Sequence, residues 1–218
     1  MKFKKLSITI IIALIGLFTY EAVMVYKARS VTKNRFFKYI KPDFNPIHLV
    51  DIPEKRLQAL LKVQDPNFYH HNGLDFKTPG AGLTTITQAI VKFVYFDHFR
   101  SGFMKIEQSL IAWLVVNPMI SKNDQLTVFI NNAYLGTLNN KPVIGFEMAS
   151  KRYFGKTFKQ LSDEEYLSLV AMLIAPDGYS IKKYPEKNRT RVKRIKRLLS
   201  GEYKPYGLQD LYYSFSDK

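Results

Sequence analysis

The chain has no cysteine. That excludes a disulfide scaffold, a thiolate zinc site, an iron–sulfur cluster and a cysteine nucleophile. It does not fix the compartment, because a cysteine-free chain suits reducing and oxidising surroundings equally. Acid is the second scarcity: 18 Asp and Glu stand against 33 Lys and Arg, a formal charge of +15 on 218 residues. No segment alternates apolar and polar residues as a half-buried strand would, and no internal repeat is visible. What is present is apolar: 46% of the residues are hydrophobic, too many for a disordered polycation. A folded chain this basic suits an anionic partner, whether nucleic acid, a membrane surface or a phosphorylated substrate. The length allows one domain, or one domain with an appendage.

The N-terminus narrows the compartment. Lys2, Lys4 and Lys5 precede the run LSITIIIALIGLFTYEAVMVY, Leu6 to Tyr26, whose one charge is Glu21. About 20 apolar residues cross a ~30 Å hydrocarbon core as a helix. A cleaved signal peptide is the competing reading. Against it, the run is long for such a peptide and no A-x-A-like site follows. Lys27, Arg29, Lys33 and Arg35 flank the far end, so the charge bias only leans toward a cytoplasmic N-terminus. The expectation is a single-pass, uncleaved anchor over 1–27 in the cytoplasmic (inner) membrane, with the rest of the chain on the extracytoplasmic side. Glu21 would then lie near enough to the interface to reach water.

After the anchor, residues 28–53 read as a polar stalk broken by Pro42, Pro46 and Pro53. Residues 54–200 read as one domain, and 201–218 as a C-terminal tail. The domain is predicted to be mainly α. A first helix over 54–63 shows Leu57, Leu60 and Leu61 on one face. Residues 67–82 form a Gly- and Pro-containing loop. Thr84 or Thr85 caps a second helix with Ile86, Ile90, Phe93 and Val94 inward. Residues 105–117 form a third helix, too short to span a bilayer. A fourth starts at Asn123 or Asp124 and runs to Asn132, and a fifth covers 145–153. Ser162 with Glu165 makes a capping box that opens a sixth, stopped by Pro176. A strongly basic helix closes the domain at 188–199.

Several stretches, in order along the chain, carry a resemblance. Gln64-Asp65-Pro66-Asn67-Phe68-Tyr69-His70-His71-Asn72-Gly73 is similar to E-D-x-x-F-x-x-H-x-G. Gly82-Leu83-Thr84-Thr85-Ile86-Thr87-Gln88, followed by Lys92, is similar to G-x-S-T-I-T-Q-Q-x-x-K. Met104-Lys105-Ile106-Glu107-Gln108 is similar to R-K-x-x-E. Leu126-Thr127-Val128-Phe129-Ile130-Asn131 resembles I/L-L-E-x-Y-L-N, and Gly145 to Lys156 resembles G-x-E-A-A-S-x-x-Y-F-G-K. Arg191 with Ile195 matches R-x-x-x-V-L more loosely. These patterns belong to the family 51 glycosyltransferases, the peptidoglycan polymerases that act on lipid II. The resemblance implies a mostly helical, lysozyme-like domain tethered by an N-terminal helix to the outer face of the cytoplasmic membrane. It implies elongation of glycan strands from lipid II. One Glu would be the general base on the acceptor hydroxyl. A second Glu and basic residues would manage the lipid-linked diphosphate, sometimes with a divalent metal. With no room for a transpeptidase domain after residue 199, the monofunctional type is the nearer match.

The departures bear on chemistry. Gln64 stands at the general-base position and Gln108 at the second glutamate. An amide keeps the size and hydrogen-bonding reach of a carboxylate, but takes no proton at neutral pH. Losing a general base forfeits ~10²–10⁴-fold in rate. Met104 replaces an Arg, Thr127 replaces a Glu, and the loop between the first two motifs is short. Asp65 and Glu107 are neighbours that would substitute only with a shifted backbone, since adjacent helical residues point ~100° apart; a one-residue change of register puts Glu107 at the second glutamate.

The substrate-binding candidates implied are Thr84, Thr85, Gln88, Lys92, Lys105, Asn131 and Arg191. The threonines and Gln88 read equally well as an N-cap cluster, and Asn131 as an organiser of local backbone. Lys92 is i+4 from Gln88 on the same face. Lys92 and Lys105 are expected to hold a lipid-linked diphosphate as point charges. His71 reads as a packing or hydrogen-bonding residue. His48, His70 and His98 show no metal-ligand spacing, so no metal site or cofactor is expected; a divalent ion at the diphosphate rests on the resemblance alone. The basic run from Lys182 to Arg197 is a solvated face or a contact with anionic headgroups beside the anchor, worth ~1 kcal/mol per residue. A nucleic-acid partner would need that run in the cytoplasm, which the anchor argues against.

Three readings stay open. One is a membrane-anchored binder of lipid II or nascent glycan, weak or inactive as a polymerase, working beside other cell-wall synthesis proteins. The second is an active polymerase using Asp65 or Glu107. The third is a basic membrane adaptor without lipid II binding.

Overall fold

Helix α1 runs unbroken over Lys2–Ile40 in a computed structural model that describes residues 2–40, 46–100 and 102–214. The stalk expected to begin at residue 28 is therefore helical through residue 40. The physical reason is composition: between Leu6 and Ile40 there is no proline and a single glycine, Gly16, and Lys and Arg are good helix formers. Pro42 lies outside the described residues.

Two different environments share this helix. Ile8, Ile12, Ile15 and Phe18 are exposed, whereas Ala28, Thr32 and Phe36, spaced at i+4, are buried. That stripe docks on the domain. Thr32 Oγ1 donates to Ala28 O at 2.6 Å and shares a 2.7 Å hydrogen bond with Tyr95 Oη. Arg35 Nη1 donates to Val94 O at 2.7 Å and lies 5.5 Å from the Tyr95 ring centre. The segment Leu6–Ile40 is long and apolar enough to cross a membrane.

The domain is built from α2 (Glu54–Gln64), α3 (Ile86–Tyr95) and α4 (Phe103–Ile111), then a π-helical turn (Ala112–Val116) and α5 (Asn117–Met119). It continues with α6 (Lys122–Asn132), β1 (Tyr134–Leu138), β2 (Lys141–Ile144), α7 (Phe146–Phe154), α8 (Asp163–Met172) and α9 (Pro185–Ser200). The class is mainly α. Helix α6 sits among α1, α3 and α7, with Leu126, Val128 and Ile130 buried. Helix α9 packs chiefly on α8 and α2, whereas α1 packs on α3, α4, the π turn and α6. The basic run thus lies on α9 and the apolar run on α1.

The widened turn has a local cause. Pro118 has no N–H to give the carbonyl four residues back, Leu114 O. Arg29 Nη1 of α1 reaches that carbonyl at 3.4 Å.

The hairpin β1–β2 corrects the expectation of no strand. It is antiparallel, with Tyr134 opposite Ile144 and Leu138 opposite Lys141. Its turn is Asn139-Asn140, at φ 52° and 58°, the left-handed pair of a two-residue hairpin loop. An irregularity between Tyr134 and Thr137 breaks the alternation that the sequence would otherwise display.

The C-terminal stretch is also packed. Gly201 ends α9 in a left-handed cap, and Tyr203 and Tyr213 are buried. The 201–214 part of the expected tail is a structural part of the domain.

Candidate functional site

Helices α2 and α3 meet through one carboxylate. Asp65 follows the last turn of α2 and is 1% exposed. Its Oδ2 accepts the Ile86 N–H at 2.8 Å, so it sits at the positive end of α3. Both its oxygens lie 3.0 Å from His71 Nε2. The Gly73 N–H donates to His71 Nδ1 at 2.9 Å. That leaves Nδ1 unprotonated, so His71 is the neutral Nε2–H tautomer donating to Asp65. Asp65 and His71 therefore tie the loop to α3.

Thr85 completes the same start. Its Oγ1 accepts the Gln88 N–H at 3.1 Å while Gln88 Oε1 accepts the Thr85 N–H at 3.0 Å, a capping box. Thr85 Oγ1 also donates to Gly73 O at 2.7 Å. Gln88 Nε2 donates to Ser109 Oγ at 2.9 Å. Thr85 and Gln88 are thus buried in structural bonds.

Beside this junction lies a cavity of about 850 Å³. Gln64, Thr84, Lys92 and Arg191 line it, with Phe93, Phe96 and Phe99 supplying apolar wall. Lys105 Nζ donates to Thr84 Oγ1 at 2.9 Å. Burial, and then the charge of Lys92, hold the Lys105 ammonium below its ordinary pKa. Lys105 does not itself line the cavity; it is held to it through Thr84, and two cations that repel each other there form a site an anion would relieve. Arg191 is 3% exposed. Burial lowers its pKa while Tyr213, Tyr179 and Tyr212 oppose the shift.

Other candidates fall elsewhere. Gln108, 1% exposed, donates from Nε2 to Gln88 O at 2.6 Å, and its Oε1 has no hydrogen-bond partner. It does not line the cavity. Glu107 is buried and feels the carboxylate of Glu21 on α1; burial, then that charge, raise its pKa. Neither Asp65 nor Glu107 lines the cavity: one is committed to the α2–α3 junction, the other faces α1. Asn131 spans the Ile47 backbone, accepting its N–H at 3.1 Å and donating to its carbonyl at 2.9 Å. Gly145, at φ 77°, packs so close that a Cβ would lie 2.2 Å from Asn131 O, so this position requires glycine.

The cavity also has members that the motifs do not name. Asn132, one residue on from Asn131, lines it, as do Tyr134, Leu211 and Asp97. Asp97 is the single carboxylate among the described lining residues. Lys122, half-buried with its Nζ enclosed, is a further cation outside the wall. Its Nζ sits 4.5 Å from the Phe68 ring centre without a hydrogen-bond partner. Burial pushes its pKa down to about 8 against the pull of Asp65.

Among the described residues no three His, Asp or Glu side chains converge on one point; Asp97 is the carboxylate on the described cavity wall, beside the cation Lys92.

Comparison with known proteins places this geometry. Penicillin-binding protein 1F of Bacillus subtilis (strain 168) is 31% identical over 159 residues, covering 67% of this chain and 22% of that protein. Penicillin-binding protein 1B of Vibrio cholerae is 27% identical over 208 residues, covering 83% of this chain and 27% of that protein. Penicillin-binding protein 1B of Escherichia coli (strain K12) is 28% identical over 197 residues, covering 78% of this chain and 23% of that protein. The chain spans about a quarter of the length of these relatives. The transglycosylase family model matches residues 33–200, from the docked end of α1 to the end of α9, and the chain belongs to that family.

Proposed function

We propose that this chain binds lipid II or a nascent glycan strand in cell-wall peptidoglycan synthesis, with polymerising activity weak or lost. The observation that carries the proposal is the cavity wall itself: a neutral amide, Gln64, shares it with Lys92 and Arg191. Lys92 and Lys105 hold the diphosphate as point charges, and the Phe93–Phe99 wall takes apolar substrate. Gln64 accepts a hydrogen bond from the acceptor hydroxyl but takes no proton, which forfeits ~10²–10⁴-fold in rate. The apolar part of α1 anchors the protein in the cytoplasmic membrane, with the N-terminus inside and the cavity outside.

A second reading follows from Asp97, the lone carboxylate on the described wall. If polymerising activity survives, Asp97 is the base that serves it.

The test uses purified full-length protein with lipid II. Saturable binding, weakened at least about tenfold by Lys92→Ala as expected for a charge-assisted contact, supports the reading. So does an absence of glycan polymer that Gln64→Glu begins to restore. Robust synthesis by the wild type, abolished by Asp97→Asn, would replace it with the second reading. Absence of lipid II binding in wild type and Lys92→Ala alike would leave a membrane adaptor.

A further inference from the structure

The stretch 201–214 lies beyond the family match, which ends at residue 200, yet it builds part of the cavity. Its backbone pairs with the loop that leads to Thr84. Gly80 N–H donates to Gly207 O at 2.9 Å, and Gly82 N–H to Leu208 O at 2.8 Å. Both glycines have positive φ, and both are pressed against the same stretch. A Cβ on Gly80 would meet Pro205 at 2.9 Å and one on Gly82 would meet Leu211 at 3.0 Å. Loop and C-terminal stretch therefore close on each other with no room for a side chain.

The same stretch grips two further parts of the wall. Leu211 lines the cavity, and its carbonyl accepts from Arg191 Nη1 at 2.8 Å. The rings of Tyr212 and Tyr213 stand 5.9 Å and 5.3 Å from the Arg191 guanidinium, with Tyr179 at 5.7 Å. Arg191 Nε is buried without a partner in a side chain that lines the cavity. Such a donor is costly to leave unmade and gains most from an anionic oxygen. Finally, Tyr213 donates from Oη to Val63 O at 3.2 Å, one residue before Gln64.

We infer that residues 203–213 are a positioning element of the binding site, with Leu211 as wall and Tyr213 as positioning residue. The segment fixes the Gly80–Thr84 loop, the Arg191 guanidinium and the Gln64 end of α2 relative to one another before ligand arrives. Pre-ordering of this kind reduces the entropy lost on binding. The ligand named here rests on the lipid II reading; the positioning does not.

The test compares full-length wild type with Leu211→Ala, Tyr213→Phe and, as a core control on α8, Leu167→Ala. Lipid II affinity, thermal midpoint and amide hydrogen exchange are measured for each. The two C-terminal variants are expected to speed exchange at Gly80 and Gly82 and to weaken lipid II binding about five- to tenfold, the worth of one hydrogen bond or wall contact. Leu167→Ala is expected to lower the midpoint at least as far while leaving both readouts unchanged. Exchange at Gly80 and Gly82 unaltered in the C-terminal variants overturns the inference. An equal loss of affinity in Leu167→Ala overturns it as well. If the wild type binds no lipid II, the functional reading falls, and the exchange rates at Gly80 and Gly82 alone decide the positioning.

Discussion

At the scale of single residues, the two amides that the motif resemblance sets against glutamates, Gln64 and Gln108, differ in what holds them. Gln64 is half-buried on the cavity wall, where a carboxylate would meet solvent and cations. Gln108 is enclosed, and its Nε2 gives the hydrogen bond that Gln88 O receives. A carboxylate there has no donor to give and faces a carbonyl oxygen. Gln108→Glu is therefore expected to destabilise the fold by about 2–4 kcal/mol at neutral pH, the range for a buried group that loses its partner. The sign with pH follows. An introduced Glu is held above its unfolded pKa, so its protonated form is the one the fold tolerates. The deficit against wild type should be small near pH 4 and grow as pH rises. Denaturant unfolding of both proteins across that range measures it; a deficit independent of pH would mean that the lost amide shape, not the charge, is what matters. The motifs made both positions visible in the sequence. Which one lines a cavity was not legible, because one residue's rotation on a helix decides it, as it does for Asn131 and Asn132.

At the scale of elements, the legible features were those whose causes are local. The Thr85–Gln88 and Ser162–Glu165 capping boxes are written within four residues, and the structure closes both. The hairpin was not legible, because a Gly136 bend interrupts its alternation; the left-handed Asn139-Asn140 pair was the available signal. The length of α1 was not legible because its composition turns polar and basic after Tyr26, while the prolines that break periodicity come only at 42, 46 and 53. What made residues 28–40 part of the fold is a buried i, i+4 stripe, and that is testable. Phe36 is 1% exposed, packed 6.4 Å from the Tyr95 ring, while Phe37 beside it is 62% exposed. Phe36→Ala should cost about 3–5 kcal/mol, as other buried aromatic truncations do, and Phe37→Ala should cost a small fraction of that. Thermal unfolding in detergent checks the pair. Equal, small effects would show that this half of α1 is not docked on the domain.

At the scale of the whole molecule, a basic protein has placed two of its few acids against each other. Glu21 and Glu107 are both buried where α1 meets α4, and no hydrogen bond reaches Glu21 Oε2. Helix α1 is otherwise joined to the domain by contacts that attract: Arg29 to Leu114 O, Arg35 to Val94 O, and Thr32 to Tyr95. The acid pair works against them. Burial, and then Glu21, hold Glu107 above its ordinary pKa. A raised carboxyl pKa means that the stability it contributes is full below the unfolded value of 4.5 and is lost as pH rises through the folded value. Ionisation of Glu107 beside Glu21 therefore weakens the union of α1 and the domain as pH rises; in acid it does not. Glu107→Gln removes the second charge while keeping the side chain's size and one acceptor oxygen. The variant should melt at a higher temperature than wild type at pH 7, and the difference should close as pH falls toward 4. The Tyr95 ring, bonded to Thr32 and stacked under Arg35, gives an independent view, because loosening of α1 frees its hydroxyl to exchange. If Glu107→Gln lowers the melting point at pH 7, the carboxylate has a partner that the repulsion conceals, and the acid pair is a strut between anchor and domain.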